Sequence, residues 1–132
     1  KIDENEILIN DNSRAMLNFG HTFGHALEAM NNYKQNLSHG EAISIGMCLA
    51  MKISCKMNLI SNNEYNDFIL HLKNVGLPTY DKRIEKNTIY NVMMRDKKNT
   101  ENLVNLILLK RIGKAFYKRR LTKEKIKNYL IK

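Results

Sequence analysis

The sequence predicts a mainly α-helical domain with one small β-hairpin near its C-terminal end. Apolar residues recur at helical spacing in two long segments, from Arg14 to Met30 and again after Ser38. The later segment LVNLILL is an apolar run typical of a buried strand, and the RIGK that follows can turn the chain back into AFYKR as a hairpin. Thr122 can then cap a final amphipathic helix. The 132 residues fit one domain, residues 1–132.

The first helix is expected to begin at an N-cap among residues 11–13 and to run to about Met30. Since a helix advances about 100° per residue, four polar residues share one stripe of it: Arg14, Asn18, His21 and His25. This stripe carries no carboxylate, and its groups bind anions, hydroxyls and metals. Gly20 and Gly24 lie on one flank, which predicts the close approach of a ligand or a neighbouring backbone. The alternative is that the glycines break the helix and separate the histidines.

The second helix is expected from Ser38 to about Met57. Ser38 followed three residues later by Glu41 is a capping box, in which Glu41 serves as the acceptor. The body of this helix is apolar on nearly all sides, which predicts that it is the central buried helix of the domain. His39 lies in its first turn and is therefore expected to face a site rather than solvent.

The next elements are predicted from their caps and stops. A second capping box, Ser61–Glu64, opens a helix that Gly76 and Pro78 close. Residues 79–86 are expected to form a loop, and residues 88–95 a short helix.

The formal charge of +9 and the run KRRLTKEKIK are compatible with a basic, helical nucleic-acid-binding domain. The lysines, however, are spread among many asparagines and isoleucines, as an AT-rich genome would also produce. A solvated basic surface is the favoured interpretation, so no nucleic-acid partner is expected. The sequence has neither a secretory signal nor a run of eighteen apolar residues, and no membrane partner is expected either.

The two cysteines, Cys48 and Cys55, lie about 10 Å apart along the second helix if it is regular, too far for a disulfide between them. Reduced thiols fit a cytoplasmic location. The cysteines lack the close pairing of a zinc site, so we expect them to be small buried hydrophobic residues.

His21 and His39 form the best candidate pair of metal ligands. They lie on two successive helices whose connecting loop can bring both imidazoles to one zinc ion. A catalytic zinc ion usually takes three protein ligands, and the third is not obvious in this sequence. On spacing alone, a metal site and two ordinary core or surface histidines both remain open.

Two motifs at these positions are long and specific. R-x-x-x-N-F-G-H-T-F-G-H-A-x-E begins at Arg14, and L-x-H-G-E-A begins at Leu37 with Gly-Met behind it at 46–47. The segment RDKK at residues 95–98 and the strand that ends in Ile-Gly at 112–113 belong to the same pattern. Together they closely resemble the 3-dehydroquinate synthase family. The resemblance covers essentially the whole chain as that family's C-terminal, mainly helical domain.

The resemblance implies a metal site shared with a second domain. His21 and His39 match the two zinc ligands that the family has in this domain, and cobalt is a plausible substitute for zinc. The third family ligand, a glutamate, belongs to an N-terminal α/β domain that also binds most of the NAD. That domain is absent from this sequence, which begins with Lys1 rather than Met and is expected to be an excised part of a larger enzyme.

The resemblance also implies the residues that bind substrate. Arg14 and Asn18 match the family's arginine and asparagine that hold the substrate, and His25 matches the histidine that works at its phosphate end. A lysine of the RDKK segment reaches the substrate as well; Lys97 or Lys98 fits, and with His25 we expect Lys97 to be catalytic.

The family converts 3-deoxy-D-arabino-heptulosonate 7-phosphate, a phosphorylated sugar acid, to 3-dehydroquinate and phosphate in the shikimate pathway of aromatic amino-acid biosynthesis. The resemblance therefore implies a lyase that depends on NAD and zinc, is commonly a homodimer, and is inactive as this domain alone. The alternative hypotheses are another sugar-phosphate cyclase of the same superfamily, the nucleic-acid-binding domain, and a purely structural helical domain.

One segment departs from the family pattern. The acidic run that usually lies a few residues before the arginine is represented by Asp3 to Glu6, which precede Arg14 by a longer interval. Either a short insertion loops out, or Glu6 has lost that role. We assign Glu6 no function.

Overall fold

The computed structural model describes residues 6–8, 19–30, 37–85, 87–94, 103–111 and 114–131. Across these ranges the chain is mostly helical, with a three-stranded antiparallel sheet. The predicted fold class is confirmed, with one strand more than the sequence indicated. No helix within these ranges is both long enough and apolar enough to cross a membrane.

Strand β1 (Glu6–Leu8) precedes helix α1 (His21–Ala29), which is shorter than predicted because the chain turns at Gly20. Gly20 is the N-cap with φ of 83°, in the left-handed region that other residues rarely adopt. Its carbonyl accepts the first helical hydrogen bond, from the Gly24 N–H at 2.9 Å. The prediction of one continuous helix is therefore wrong at Gly20 and correct at Gly24. Residues 11–18 of the predicted helix lie outside the described residues.

Helix α2 (His39–Lys56) is the central element, as predicted. Its capping box is formed: Ser38 Oγ accepts from the Glu41 N–H at 3.1 Å, and the Ser38 N–H donates to Glu41 Oε1 at 2.9 Å. The helix packs against α1 and against later elements on its other sides. Its buried residues are Ala42, Ser44, Ile45, Gly46, Cys48, Leu49, Ala50, Met51, Ile53 and Ser54.

Three glycines bring α1 and α2 into backbone contact. A Cβ at Gly46 would overlap the carbonyl oxygen of Gly20 and lie 2.9 Å from the nitrogen of Gly24. A Cβ at Gly24 would lie 2.6 Å from Cδ1 of Ile43, and one at Gly20 would lie 2.5 Å from the nitrogen of Met47. The helices can cross this closely only because side chains are missing from the contact. The predicted approach of a neighbouring backbone is confirmed.

Helix α3 (Asn62–Asn74) opens with the predicted capping box at Ser61 and lies largely at the surface. It ends before Gly76, which has φ of 83°. The prediction of a loop over residues 79–86 is wrong in part, because Lys82–Glu85 form a 3₁₀ turn. The Tyr80 hydroxyl donates to Glu85 Oε2 across this turn and stabilises it. Helix α4 (Asn87–Met94) follows, within one residue of the prediction.

The sheet has the order β1-β3-β2, with β2 (Leu103–Arg111) and β3 (Lys114–Thr122) as the predicted hairpin. Tyr117 of β3 pairs with Ile107 of β2 on one side and with Ile7 of β1 on the other. The two residues that join β2 to β3 lie outside the described residues.

The hairpin and helix α5 (Lys123–Ile131) pack against α2. In β2, Leu106, Ile107 and Leu108 are all buried, so both faces of this strand are covered. The Ser54 hydroxyl of α2 donates to the Ala50 carbonyl at 2.9 Å and accepts from the Leu109 N–H at 3.0 Å, which ties α2 to β2.

Helix α5 begins as predicted, since the Lys125 N–H donates to Thr122 Oγ1 at 3.2 Å. The ammonium group of Lys52 donates to the Leu130 carbonyl at 2.8 Å and ties the end of α5 to α2.

The hydrophobic core lies between α2 and the helices and strands that pack against it. Its buried residues include Phe23, Leu27, Ile45, Leu49, Ile53, Ile89, Tyr90, Met93, Leu106, Leu108, Phe116, Leu121, Ile126 and Leu130.

Candidate functional site

Three imidazoles converge where α1 meets the N-terminus of α2. The ring centroids of His21 and His25 are 5.2 Å apart, those of His21 and His39 5.8 Å, and those of His25 and His39 6.4 Å. His21 belongs to both of the shorter pairs. The cluster therefore joins two elements of the chain.

Helical geometry explains how α1 contributes to this cluster. His21, His25 and Glu28 occupy positions i, i+4 and i+7, which fall within about 60° of one another around a helix. These three side chains form one polar stripe, whereas the other face packs Phe23, Leu27 and neighbours into the core. His21 and His25 thus share a face, as predicted, although α1 begins only at His21.

Helix α2 contributes His39 to the cluster from its N-terminal end. Ser38 fixes the first residue of α2 by capping it, and His39 is that first residue. The close glycine crossing then sets how near this helix start lies to the stripe on α1. His39 was expected to face a site rather than solvent. Its ring lies in the histidine cluster, but 61% of its side chain is exposed in this chain, so the second part of the expectation is wrong.

Glu28 lies against His39, eleven residues later in the chain. Both carboxylate oxygens of Glu28 are 3.1 Å from Nδ1 of His39. The expectation that the polar stripe of α1 carries no carboxylate is therefore wrong. Glu28 is the last residue of the motif that begins at Arg14, and its spacing from His21 and His25 places it on their face, but no role was predicted for it.

The donor set of the cluster fits a divalent metal in part. Zinc binds imidazole nitrogen at about 2.0–2.1 Å, and two rings on one tetrahedral ion have centroids roughly 5 Å apart. The His21–His25 and His21–His39 separations come near this value. Among the described residues no group of three His, Cys, Asp or Glu side chains is arranged to hold a metal ion.

The structure does not place the other residues that were predicted to bind substrate. Arg14, Asn18, Lys97 and Lys98 lie outside the described residues, so their positions beside the histidines stay predictions. Glu6, to which we assign no function, is the first residue of strand β1.

One further histidine lies on α3, and two cysteines lie on α2. His71 is exposed on α3. Cys48 and Cys55 are both free cysteines; Cys48 is buried, as predicted, and Cys55 is only half-buried.

Comparison with known proteins matches the chain to one enzyme family. Residues 2–99 match the family described as 3-dehydroquinate synthase C-terminal. A 3-dehydroquinate synthase of Bartonella quintana (strain Toulouse) is 41% identical over 123 residues, which cover 89% of this chain and 33% of that protein. The chain spans about a third of the length of the relatives it matches.

Solved structures of two other synthases share the fold. A 2-deoxy-scyllo-inosose synthase complexed with carbaglucose-6-phosphate, NAD+ and Co2+ has a TM-score of 0.68 and 27% identity, over 87% of this chain and 34% of that one. ValA, the 2-epi-5-epi-valiolone synthase from Streptomyces hygroscopicus subsp. jinggangensis 5008 with NAD+ and Zn2+ bound, has a TM-score of 0.74 and 22% identity, over 88% and 32%. The second likeness shows the fold alone.

The family match extends over most of the sequence and includes all three clustered histidines. The relatives that carry it are enzymes. The chain belongs to the 3-dehydroquinate synthase C-terminal family.

Proposed function

We propose that residues 1–132 are the C-terminal domain of a 3-dehydroquinate synthase. The whole enzyme converts 3-deoxy-D-arabino-heptulosonate 7-phosphate to 3-dehydroquinate and phosphate in the shikimate pathway. The observation that carries the proposal is the approach of the His21 and His39 rings to 5.8 Å in a chain of this family. The remaining two thirds of the relatives' length would supply the NAD-binding domain.

In this proposal His21 and His39 hold a zinc ion, and a glutamate of the NAD-binding domain completes the site. The 27% identical 2-deoxy-scyllo-inosose synthase, solved with NAD+ and Co2+, supports NAD and a divalent metal as cofactors, with cobalt as a substitute for zinc. When bound, the metal polarises the hydroxyl that NAD oxidises and the carbonyl that results. Two imidazoles bind more weakly than a complete site, so this chain alone is expected to hold little metal and to be inactive.

In this proposal the substrate is held by His25 together with an arginine, an asparagine and a lysine of this chain. His25 is exposed beside His21 and can offset the charge of a phosphate or give it a proton. Arg14 supplies a planar cationic fork for an anion or hydroxyl, and Asn18 supplies an amide. A lysine, Lys97 or Lys98, adds further positive charge at the phosphate. We also propose that the enzyme is a cytoplasmic homodimer, as is common in the family.

Zinc titration tests the metal site directly. Calorimetry would compare the wild-type chain with His21→Ala and His39→Ala, each with and without the N-terminal domain of the same enzyme. We expect binding to strengthen when that domain is added and to disappear in both variants, because each removes an inner ligand. His71→Ala is the matched control, since it removes an exposed histidine of α3 and should leave binding unchanged.

Zinc binding that survives both variants, or that is absent in the reassembled protein, would contradict the metal assignment. Release of phosphate from 3-deoxy-D-arabino-heptulosonate 7-phosphate in the reassembled protein then tests the reaction itself.

A second candidate is another sugar-phosphate cyclase with the same pair of histidines. The 27% identical 2-deoxy-scyllo-inosose synthase, with its carbaglucose-6-phosphate ligand, favours this alternative. Competition between that ligand and the heptulosonate phosphate for the reassembled protein separates the two. Preference for the heptulosonate phosphate supports the synthase, and preference for the carbasugar phosphate supports the other cyclase.

A further inference from the structure

The contact between Glu28 and His39 fixes which nitrogen of the imidazole carries a proton. Nδ1 lies 3.1 Å from both oxygens of the carboxylate. An ionised carboxylate only accepts hydrogen bonds, so Nδ1 must be the donor. In the neutral ring, Nε2 then has its lone pair available.

We propose that Glu28 is a positioning residue that holds His39 with Nε2 as its metal-ligating atom. This inference rests on the proposed function, because it takes His39 to be a ligand. A ligating histidine commonly donates its second N–H to a carboxylate, which fixes the tautomer and the ring orientation. Glu28 is placed to do this from α1 for a ligand on α2.

Other roles account poorly for this contact. The side chains of His39 and Glu28 are 61% and 32% exposed, so their pairing contributes little to folding stability. Glu28 also takes no part in capping α2, since Ser38 and Glu41 complete that box. The role that remains for Glu28 is to set the orientation and the tautomer of the His39 ring.

An exposed imidazole particularly needs such a partner. His39 is the first residue of α2, with its ring largely in solvent. Without the carboxylate, the ring can rotate among its rotamers, and the intrinsic preference of a histidine side chain in water for the Nε2–H tautomer takes over. Metal binding would then have to restore both the tautomer and the orientation.

The first test reads the tautomer in the chain without metal. Two-dimensional ¹⁵N NMR of the His39 ring distinguishes a protonated from an unprotonated Nδ1. We expect Nδ1–H in the wild type and Nε2–H in Glu28→Ala, which keeps α1 intact because alanine is the best helix former. A wild-type ring in the Nε2–H form, or a form that Glu28→Ala leaves unchanged, would overturn the proposal.

The second test measures the affinity of the full-length protein for Co2+ from its visible absorption. Loss of an outer partner of a metal-ligating histidine typically weakens binding about 10- to 100-fold, and we expect Glu28→Ala to do so. Glu41→Gln is the matched control: it removes a carboxylate two residues from His39 while glutamine can still complete the capping box. An equal loss in both variants would show a general charge effect and overturn the positioning role.

The shape of the Co2+ spectrum separates positioning from direct ligation. If Glu28 only orients His39, the titration midpoint moves in Glu28→Ala and the spectrum at saturation keeps its shape. A changed spectrum would mean that Glu28 is itself a ligand.

Failure of this inference is distinguishable from failure of the proposed function. His21→Ala and His39→Ala abolish Co2+ binding if the metal site exists, whatever Glu28 does. Binding that depends on both histidines but not on Glu28 overturns the positioning role alone.

Discussion

The two cysteines of α2 differ in their surroundings. Cys48 is 2% exposed, and burial raises the pKa of its thiol from 9.0 to about 12. Cys55 is half-buried, and its Sγ donates to Asn62 Oδ1 at 3.1 Å. Since the thiolate is the reactive form, Cys48 is inert while the protein is folded.

We therefore expect iodoacetamide at pH 8 to modify Cys55 well before Cys48, with the sites located by mass spectrometry. In a Cys55→Ser variant the folded protein should stay unmodified until denaturant is added. Equal rates at the two thiols would contradict the burial of Cys48.

Because the pKa of Cys48 is raised in the folded state, its contribution to stability is complete below about pH 9 and is lost as the pH rises toward 12.

Single residues of the site differ in how far the sequence reveals them. His21, His25 and His39 were predictable because a helical repeat and a capping box place them without knowledge of the fold. Glu28 was missed because its partner, His39, belongs to a different helix. A contact of this kind depends on how two elements pack, which local periodicity does not encode.

At the level of single elements, the two capping boxes form a natural pair of test sites. Ser38 and Ser61 make the same hydrogen bonds at the starts of α2 and α3. Only the first start carries a histidine of the cluster. The same substitution at both positions can therefore separate helix stability from site geometry.

Ser38→Ala and Ser61→Ala should each lower the free energy of unfolding by about 1 kcal/mol, because each leaves a helix N–H without its cap. Urea denaturation measures both. Ser38→Ala should also weaken Co2+ binding by the full-length protein, whereas Ser61→Ala should leave it unchanged. A similar loss of metal affinity in both would mean that α3 supports the site as well.

The capping box at Ser38 also makes stability depend on pH. The Ser38 backbone N–H, and after it the Ser38 hydroxyl, hold the pKa of Glu41 below its ordinary value of 4.5. With the folded-state pKa depressed, this stabilisation is present above about pH 4.5 and is lost as the pH falls through the lowered value. The difference in urea midpoint between wild type and Glu41→Gln should shrink as the pH falls from 6 to 3. A constant difference would contradict the role of the carboxylate.

The crossing of α1 and α2 should be intolerant of even one methyl group. Gly46→Ala forces Cβ into the Gly20 carbonyl, and overpacking of this kind costs about 1–3 kcal/mol. We expect a lower urea midpoint and weaker metal binding by the full-length protein, because the helices and their histidines must move apart. Gly40→Ala is the control, since a Cβ there meets nothing within 4 Å. Equal effects at both glycines would contradict the close crossing.

Elements were predictable where their signals are local. Both capping boxes fixed helix starts, and Gly76 fixed a helix end. Gly20 was misread because its left-handed turn is selected by the backbone of α2 next to it, while the apolar spacing continues past it. Strand β1 was missed because three residues are too few to show a strand period and their partner is β3.

In the whole molecule, one buried hydroxyl joins the helical and sheet layers. Ser54 is fully buried and bonds both to its own helix and to the Leu109 N–H of β2. Ser54→Ala should lower the free energy of unfolding by about 1 kcal/mol or more, because a part-buried N–H loses its acceptor. Amide hydrogen exchange should quicken at Leu109. Unchanged exchange there would show that the ladder holds the strand without Ser54.

The order of strands in the sheet has a consequence for how the chain folds as it is made. Residues 6–8 pair with residues 116–118, so the edge strand must close a loop of more than a hundred residues. Closing long loops costs entropy before contacts repay it, and contacts distant in sequence slow folding. During synthesis the helices α1 to α4 can form in order as they emerge, whereas β1 must wait for β3. Strand β1 is thus made before α1 to α4 but placed after them, and until then its backbone needs protection from other chains.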